Sequence, residues 1–363
     1  MTVKKICIAI HALSHAGAER VAVSWANYLA GNGHDVFILI YGRCDNEYPL
    51  DERIRIISVT ESQDAFFAMP VWKRLWEIRK IIRREAPQTL ISFLPKLQIN
   101  MMIATLGMRM ERIETIRNNP WVDKDVGRKR FLWDICFHRA DKIILQTAEQ
   151  GEYFDHQLQK KCTVIPNPIA SEFISIKKEY SNSVRRFVAV GRLSAQKNYP
   201  LMIQAFASAA TDIRDCTLDI YGQASPEAAE TVNALIHSLG MKGRVCLCGW
   251  TSNISKLLPQ YDAFLMASDY EGMPNALAEA MVTGLVCIST DCRTGPKDMI
   301  ENGYSGYLIP TGNVGAYTDG IKAVLEMGVP ECAQMGNAAR EKMLKMCSEE
   351  KTLARLKALV EGD

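Results

Sequence analysis

The chain has 363 residues, 48% of them hydrophobic and 23% charged, with 43 Lys and Arg against 41 Asp and Glu. At roughly 150 residues per domain that length predicts two domains, and the composition excludes disordered, collagen-like and coiled-coil chains. A net charge of +2 lacks the domain-wide basic excess of a simple nucleic-acid binder, so no nucleic-acid partner is expected. Among eleven cysteines only Cys246 and Cys248 lie closer than five residues. No C-x-x-C pair is present to hold zinc, and the thiols read as reduced and mostly buried.

Met1–Ile10 opens with a five-residue apolar run, Ile6–Ile10, too short for the apolar core of a signal peptide and suited to a buried strand. No run of about 18 apolar residues follows anywhere, so any membrane contact is expected to be peripheral. Short apolar runs then alternate with amphipathic stretches, the βαβα pattern of parallel sheets covered by helices. The first half predicts strands over Lys4–Ile10, Asp35–Tyr41, Ile54–Val59, Thr89–Phe93, Arg112–Ile116, Lys142–Gln146 and Thr163–Ile165. Helices fit at Ala18–Ala30, Val71–Glu85 and Gly127–His138. The second half predicts strands over Arg186–Val190, Thr217–Tyr221, Arg244–Cys248, Ala263–Met266, Val286–Ser289 and Gly306–Ile309. Pro166-Asn167-Pro168 ends the first series, because proline removes backbone donors and holds its predecessor extended. The domains are therefore expected at 1–165 and 185–345, with a linker at 166–184 and a tail at 346–363. Two such open α/β domains bind ligands at the carboxyl ends of their strands.

Three segments at those ends carry candidate chemistry. His11 to Val21 places Gly17 between a strand and a helix, where backbone amides can approach a phosphate. Gly191-Arg192-Leu193-Ser194-Ala195-Gln196-Lys197-Asn198 brings two cations off the first strand of the second half; arginine offers a fork for phosphate oxygens and lysine a mobile point charge. Ser268 to Gly284 contains Glu271-Gly272-Met273-Pro274-Asn275 and Glu279. Here Gly272 allows an unusual backbone angle, Pro274 suits a first helical turn, and Asn275 and Glu279 share a helix face at i,i+4. A carboxylate on either side of an anion site suits hydroxyl donors on a sugar and a ribose.

Glu-Gly-x-Pro-Asn-x-Leu-x-Glu-Ala-x-x-x-Gly after Gly-Arg-Leu-x-x-x-Lys-Asn resembles the retaining glycosyltransferases of family GT4. The resemblance runs through Gly17-Ala-Glu-Arg-Val21, Val164-Ile-Pro-Asn-Pro-Ile169, Tyr221-Gly222, Asp291–Pro296 and the helical tail. It implies an α/β GT-B fold, two Rossmann-like domains facing each other across a cleft, with the tail packing back toward the first. It also implies transfer of a hexose-type unit from a nucleotide sugar, UDP-linked by preference, to a glycan or lipid-linked glycan with retained anomeric configuration. No metal or other cofactor is implied, since the nucleotide sugar is a substrate. Carried over by position, Arg192 and Lys197 would bind the diphosphate, Glu271 the donor-sugar hydroxyls and Glu279 the ribose. The Gly272–Asn275 amides would face phosphates and sugar, Gly17 and Gly191 would line the donor site, and Gly249–Thr251 would lie near the base. Arg117-Asn118-Asn119-Pro120 is similar to a segment of bacterial members that build cell-surface polysaccharide, lipopolysaccharide or lipid-linked glycans. Arg117, Asn118, Asn119 and His11 are the acceptor-side candidates. The alternatives are a nucleotide-sugar epimerase on the same fold and a non-catalytic nucleotide-sugar-binding subunit.

Asp123-Lys124-Asp125 matches the D-x-D of other glycosyltransferases, but it follows a polar turn and reads as a solvated loop. His15 is a second histidine near the first site. The near-neutral total hides an asymmetry, for 14 basic residues face 6 acidic ones between Val71 and Arg130. In 71–86, Trp72, Leu75, Trp76, Ile78, Ile81 and Ile82 alternate with Lys73, Arg74, Arg79, Lys80, Arg83 and Arg84. That pattern suits an anionic membrane surface or a pyrophosphate-bearing acceptor, and equally a helix that covers a sheet. The expected location is cytoplasmic, peripheral on the inner face of the plasma membrane.

Overall fold

All thirteen expected strands form in the computed structural model, which describes residues 3–14, 17–43, 49–122, 127–176, 178–180 and 183–362, and their ends move by one residue at most. The first seven are β1 (Lys5–Ala9), β2 (Asp35–Gly42), β3 (Arg55–Thr60), β4 (Thr89–Ser92), β5 (Glu111–Thr115), β6 (Lys142–Leu145) and β7 (Cys162–Val164). They form one parallel sheet in the order β3-β2-β1-β4-β5-β6-β7. The remaining six are β8 (Arg186–Val190), β9 (Thr217–Tyr221), β10 (Val245–Gly249), β11 (Ala263–Met266), β12 (Val286–Thr290) and β13 (Tyr307–Ile309). Their parallel order is β10-β9-β8-β11-β12-β13. Strand order reverses between β1 and β4 and between β8 and β11, and a crevice opens beyond the carboxyl ends at such a reversal.

The unbroken apolar runs follow from burial on both faces. In β1, Ile6 and Ile8 enter one core while Cys7 and Ala9 enter the other; in β2, Val36, Ile38 and Ile40 alternate in the same way with Phe37, Leu39 and Tyr41. Ala263 and Leu265 of β11 likewise separate from Phe264 and Met266. Cys7 and Cys287 are fully buried, and burial pushes both thiols far above their ordinary range.

Packing divides the chain into one unit of residues 1–168 with 350–363 and a second of residues 169–349. The stretch expected as a linker is therefore not free. Ile169 and Phe173 are buried in the second unit's core, and the Tyr180 hydroxyl donates to the Gly284 carbonyl at 3.1 Å. The helix Val329–Cys347 belongs to that unit, whereas Leu353, Leu356, Leu359 and Val360 of the helix Glu349–Glu361 enter the first core beside Trp25 and Leu29. Lys142 Nζ donates to the Leu359 carbonyl at the same junction.

The basic helix Val71–Glu85 departs from a single apolar face. Ile78, Ile81 and Ile82 pack beneath it, but Trp72 and Trp76 are 71% and 55% exposed, and Phe67 of the preceding helix Gln63–Ala68, which meets Arg74, is exposed as well. The sequence leaves the tryptophans open between a membrane-facing and a sheet-covering role; the three isoleucines fill the sheet-facing stripe and both tryptophans lie outward. No described helix is long and apolar enough to cross a membrane.

Candidate active site

Lys197 and Glu271, 74 residues apart, meet because β8 and β11 are neighbours at the strand-order reversal. The Lys197 ammonium lies 2.6 Å from Glu271 Oε1, which also accepts from Ser268 Oγ at 2.7 Å. Glu271 Oε2 faces Gln196 Nε2 at 3.4 Å, and the carboxylate is largely buried. The turn after β8 is fastened to the turn after β11 by backbone as well: Asp269 N–H donates to the Gln196 carbonyl at 2.9 Å, and Gln196 Nε2 to the Tyr270 carbonyl at 2.8 Å. Asn198, with φ of 45°, donates from Nδ2 to Asp269 Oδ1 at 2.9 Å. A cation and a carboxylate are thus held in register by two stiffened loops.

The turn after β12 supports them from the other side. Thr294 donates from N–H and Oγ1 to the Glu271 carbonyl, both at 3.0 Å, and Oγ1 also lies 3.1 Å from the Gly272 carbonyl. Gly295 has φ of +99°, and a Cβ there would lie 2.2 Å from the Gly272 oxygen, so only glycine fits. Gly272 and Met273 are buried where the helix Asn275–Thr283 begins. Pro274 is the cap residue just outside that helix rather than part of its first turn, and as a proline it offers no amide. Glu279 is buried on the same helix, and Asn275 is half-buried at its start.

Arg192 is exposed beyond Gly191 and forms no hydrogen bond or ion pair among the described residues. The Tyr199 hydroxyl donates to the Gly191 carbonyl at 2.7 Å, and burial followed by the Glu271 charge pushes that phenol well above its ordinary range. Burial, with Glu271 second, also pushes the neighbouring Cys292 thiol up to about 12, so it stays protonated. Gly222, after β9, is where the chain passes over β8: a Cβ would fall 1.9 Å from the Gly191 oxygen. Its N–H donates to the Gly249 carbonyl at 2.9 Å, which brings the Gly249–Thr251 turn to the same edge. Thr251 Oγ1 accepts from Asn253 N–H at 3.1 Å.

In the first unit, Gly17 is the exposed first residue of the helix Gly17–Gly31. His11 Nε2 lies 3.6 Å from Oε1 of the buried Glu19. Asn118 and Asn119 shape their own turn, their Oδ1 atoms accepting from the N–H groups of Asn119 and Trp121. Arg117 rests against the rings of Trp25 and Phe93, which meet each other edge to face at 5.3 Å, rather than in an open loop. His15 and Asp123-Lys124-Asp125 lie outside the described residues. Sequence reasoning missed Glu19, Ser268, Gln196 and Thr294. Ser268, three residues before Glu271, and Gln196, directly before Lys197, were the available signals.

Residues 171–342 match the family of group 1 glycosyl transferases, and residues 15–173 match glycosyltransferase family 4. An uncharacterised glycosyltransferase of Methanocaldococcus jannaschii is 27% identical over 69% of this chain and 66% of its own length. A Campylobacter jejuni enzyme, N-acetylgalactosamine-N,N'-diacetylbacillosaminyl-diphospho-undecaprenol 4-alpha-N-acetylgalactosaminyltransferase, is 25% identical over 89% of this chain and 90% of its own length. Among solved structures, Anabaena HepE with UDP and glucose aligns with a TM-score of 0.84 at 16% identity, covering 99% of this chain and 100% of that one, a likeness of fold. The chain is an enzyme of the GT-B class, a glycosyltransferase acting on nucleotide sugars. It belongs to the group 1, GT4 family of retaining glycosyltransferases.

Proposed function

We propose that this enzyme transfers a hexose-type sugar from a UDP-sugar to a lipid-linked glycan, with the donor held by the second unit and the acceptor by the first. The observation that carries the donor assignment is the Lys197–Glu271 pair at the β8/β11 reversal, with Arg192 exposed beside it. UDP is favoured because HepE was solved with UDP-glucose, and a lipid-linked acceptor because the Campylobacter relative is named for a diphospho-undecaprenol glycan.

As the glycosidic bond breaks, negative charge grows on the departing diphosphate. Lys197 and Arg192 lower that barrier by facing the charge as it develops. Glu271 receives donor-sugar hydroxyls and aligns the anomeric carbon with the acceptor hydroxyl, and Glu279 receives the ribose. Among the described residues of the second unit's site no further carboxylate is assigned to a covalent intermediate, and departure and attack are taken to occur on one face of the sugar. A panel of UDP- and GDP-sugars with a lipid-linked acceptor, read by mass spectrometry, tests the reading. One UDP-sugar is expected to lose its sugar to the acceptor; consumption of GDP-sugars alone, or of none, rejects it.

The enzyme would meet that acceptor at an anionic membrane, on the cytoplasmic side. Phe67, Trp72 and Trp76 present exposed rings beside the exposed Lys73, Lys80, Arg83 and Arg84, and Lys80 sits 5.2 Å from the Trp76 ring centre. Arg79 and Arg74 are committed elsewhere, Arg79 to the Ala104 and Leu106 carbonyls and Arg74 to the Met69 and Phe67 carbonyls. Arg84 pairs with Glu85 at 3.0 Å, which leaves Lys73, Lys80 and Arg83 as the cations beside the tryptophans, a combination that suits the headgroup region. The protein is expected to float with vesicles containing phosphatidylglycerol and to stay in solution once Trp72 and Trp76 are both alanine. Equal flotation of the two, or none by the native protein, removes this contact.

A further inference from the structure

Arg117 follows β5 at the carboxyl edge of the first sheet. Its guanidinium carbon lies 4.4 Å from the Trp25 ring centre and 4.8 Å from that of Phe93, both rings fully buried. Nη1 donates to Asn167 Oδ1 at 3.1 Å, and that oxygen also accepts from Gln146 Nε2 at 2.8 Å. Among the described residues, Nε and Nη2, both shielded from solvent, have no hydrogen-bond partner. The half-buried Arg185 also has a shielded Nε without a hydrogen bond, but that nitrogen lies 3.3 Å from Asp215 Oδ1, and three further half-buried arginines bind carbonyls. Arg112 reaches the Thr105 and Met108 carbonyls, Arg130 the Pro120 carbonyl and Tyr153 hydroxyl, and Arg244 the carbonyls of Cys216, Ala210 and Ile213.

An unsatisfied buried donor on a cation is costly, and a buried charge without a counter-charge more so. Arginine's planar fork is built for paired oxygens. We propose that Arg117 is a phosphate-binding residue whose missing counter-charge is the pyrophosphate of the acceptor, an assignment that rests on the lipid-linked reading above. The two rings and the bond to Asn167 hold the guanidinium in place, so the oxyanion meets a positioned donor pair. Burial lowers the guanidinium's pKa to about 9 and leaves it cationic at neutral pH, and a bound phosphate would raise it again.

The structural alternative is a cation that serves only to stack on Trp25 and Phe93. Arg117→Met separates the two, because methionine packs against the same two rings without a charge. Removing an uncompensated buried charge should leave the melting temperature unchanged or raised. Calorimetric titration with inorganic pyrophosphate, with farnesyl pyrophosphate and with UDP identifies the source of the anion. In Arg117→Met the two pyrophosphates are expected to lose about 100-fold in affinity while UDP is bound as before. KM for the lipid-linked acceptor should rise correspondingly, and Arg117→Lys should recover part of the loss by keeping the charge without the fork. Unchanged pyrophosphate affinity in Arg117→Met overturns the proposal, as does a fall in melting temperature with acceptor KM unmoved. A loss confined to UDP moves the anion to the donor and also overturns it. If the native enzyme consumes no nucleotide sugar, the functional reading fails by itself, while Arg117-dependent pyrophosphate binding would still stand.

Discussion

Lys197→Ala is expected to lower kcat/KM by about 10²–10³, the range found when a group facing transition-state charge is removed, and to weaken UDP binding in parallel. Both effects have one origin. The ammonium now lies 2.6 Å from Glu271 Oε1, and an arriving diphosphate would share it. Without Lys197, Glu271 keeps Ser268 and Gln196 as donors, so the loop should remain folded while the phosphates lose their nearest cation. Isothermal titration with UDP, alongside circular dichroism, checks both halves. Native-like UDP affinity in the variant would remove Lys197 from the phosphate site.

Glu271→Gln should reduce transfer by a similar factor for a different reason. The substitution preserves shape and the contact with Ser268 while removing the charge that holds Lys197 and would hold the sugar hydroxyls. Lys197 then has no carboxylate to share with the diphosphate, so UDP alone should bind as tightly as before or more tightly. A variant that loses transfer but keeps UDP marks a sugar-orienting residue. Parallel loss of both in Glu271→Gln would instead make the carboxylate an organiser of the phosphate site.

Much of this arrangement could be read from the chain. β2 and β11 are apolar at every central position because both sheet faces are covered, and that continuity makes their ends legible to within a residue. The Gly191–Asn198 and Ser268–Gly284 stretches stood out by position, each just past a strand. Their contact was not legible. It depends on β8 lying beside β11, a pairing that no spacing records. Arg117 was legible as a residue beyond a strand but not as a buried one, since Trp25 and Phe93 reach it only through the order of β1, β4 and β5. The helix Val71–Glu85 was legible only as two alternatives, because periodicity cannot tell an inward tryptophan from an outward one when isoleucines already suffice.

The second unit carries the central claim: two side chains brought together at a strand-order reversal act on a nucleotide sugar. Release of UDP from a UDP-sugar, followed with native enzyme and Lys197→Ala side by side in the presence of a lipid-linked acceptor, tests it most directly. Turnover is expected from the native enzyme, and a rate near background from the folded variant. Equal UDP release by the two would contradict the claim.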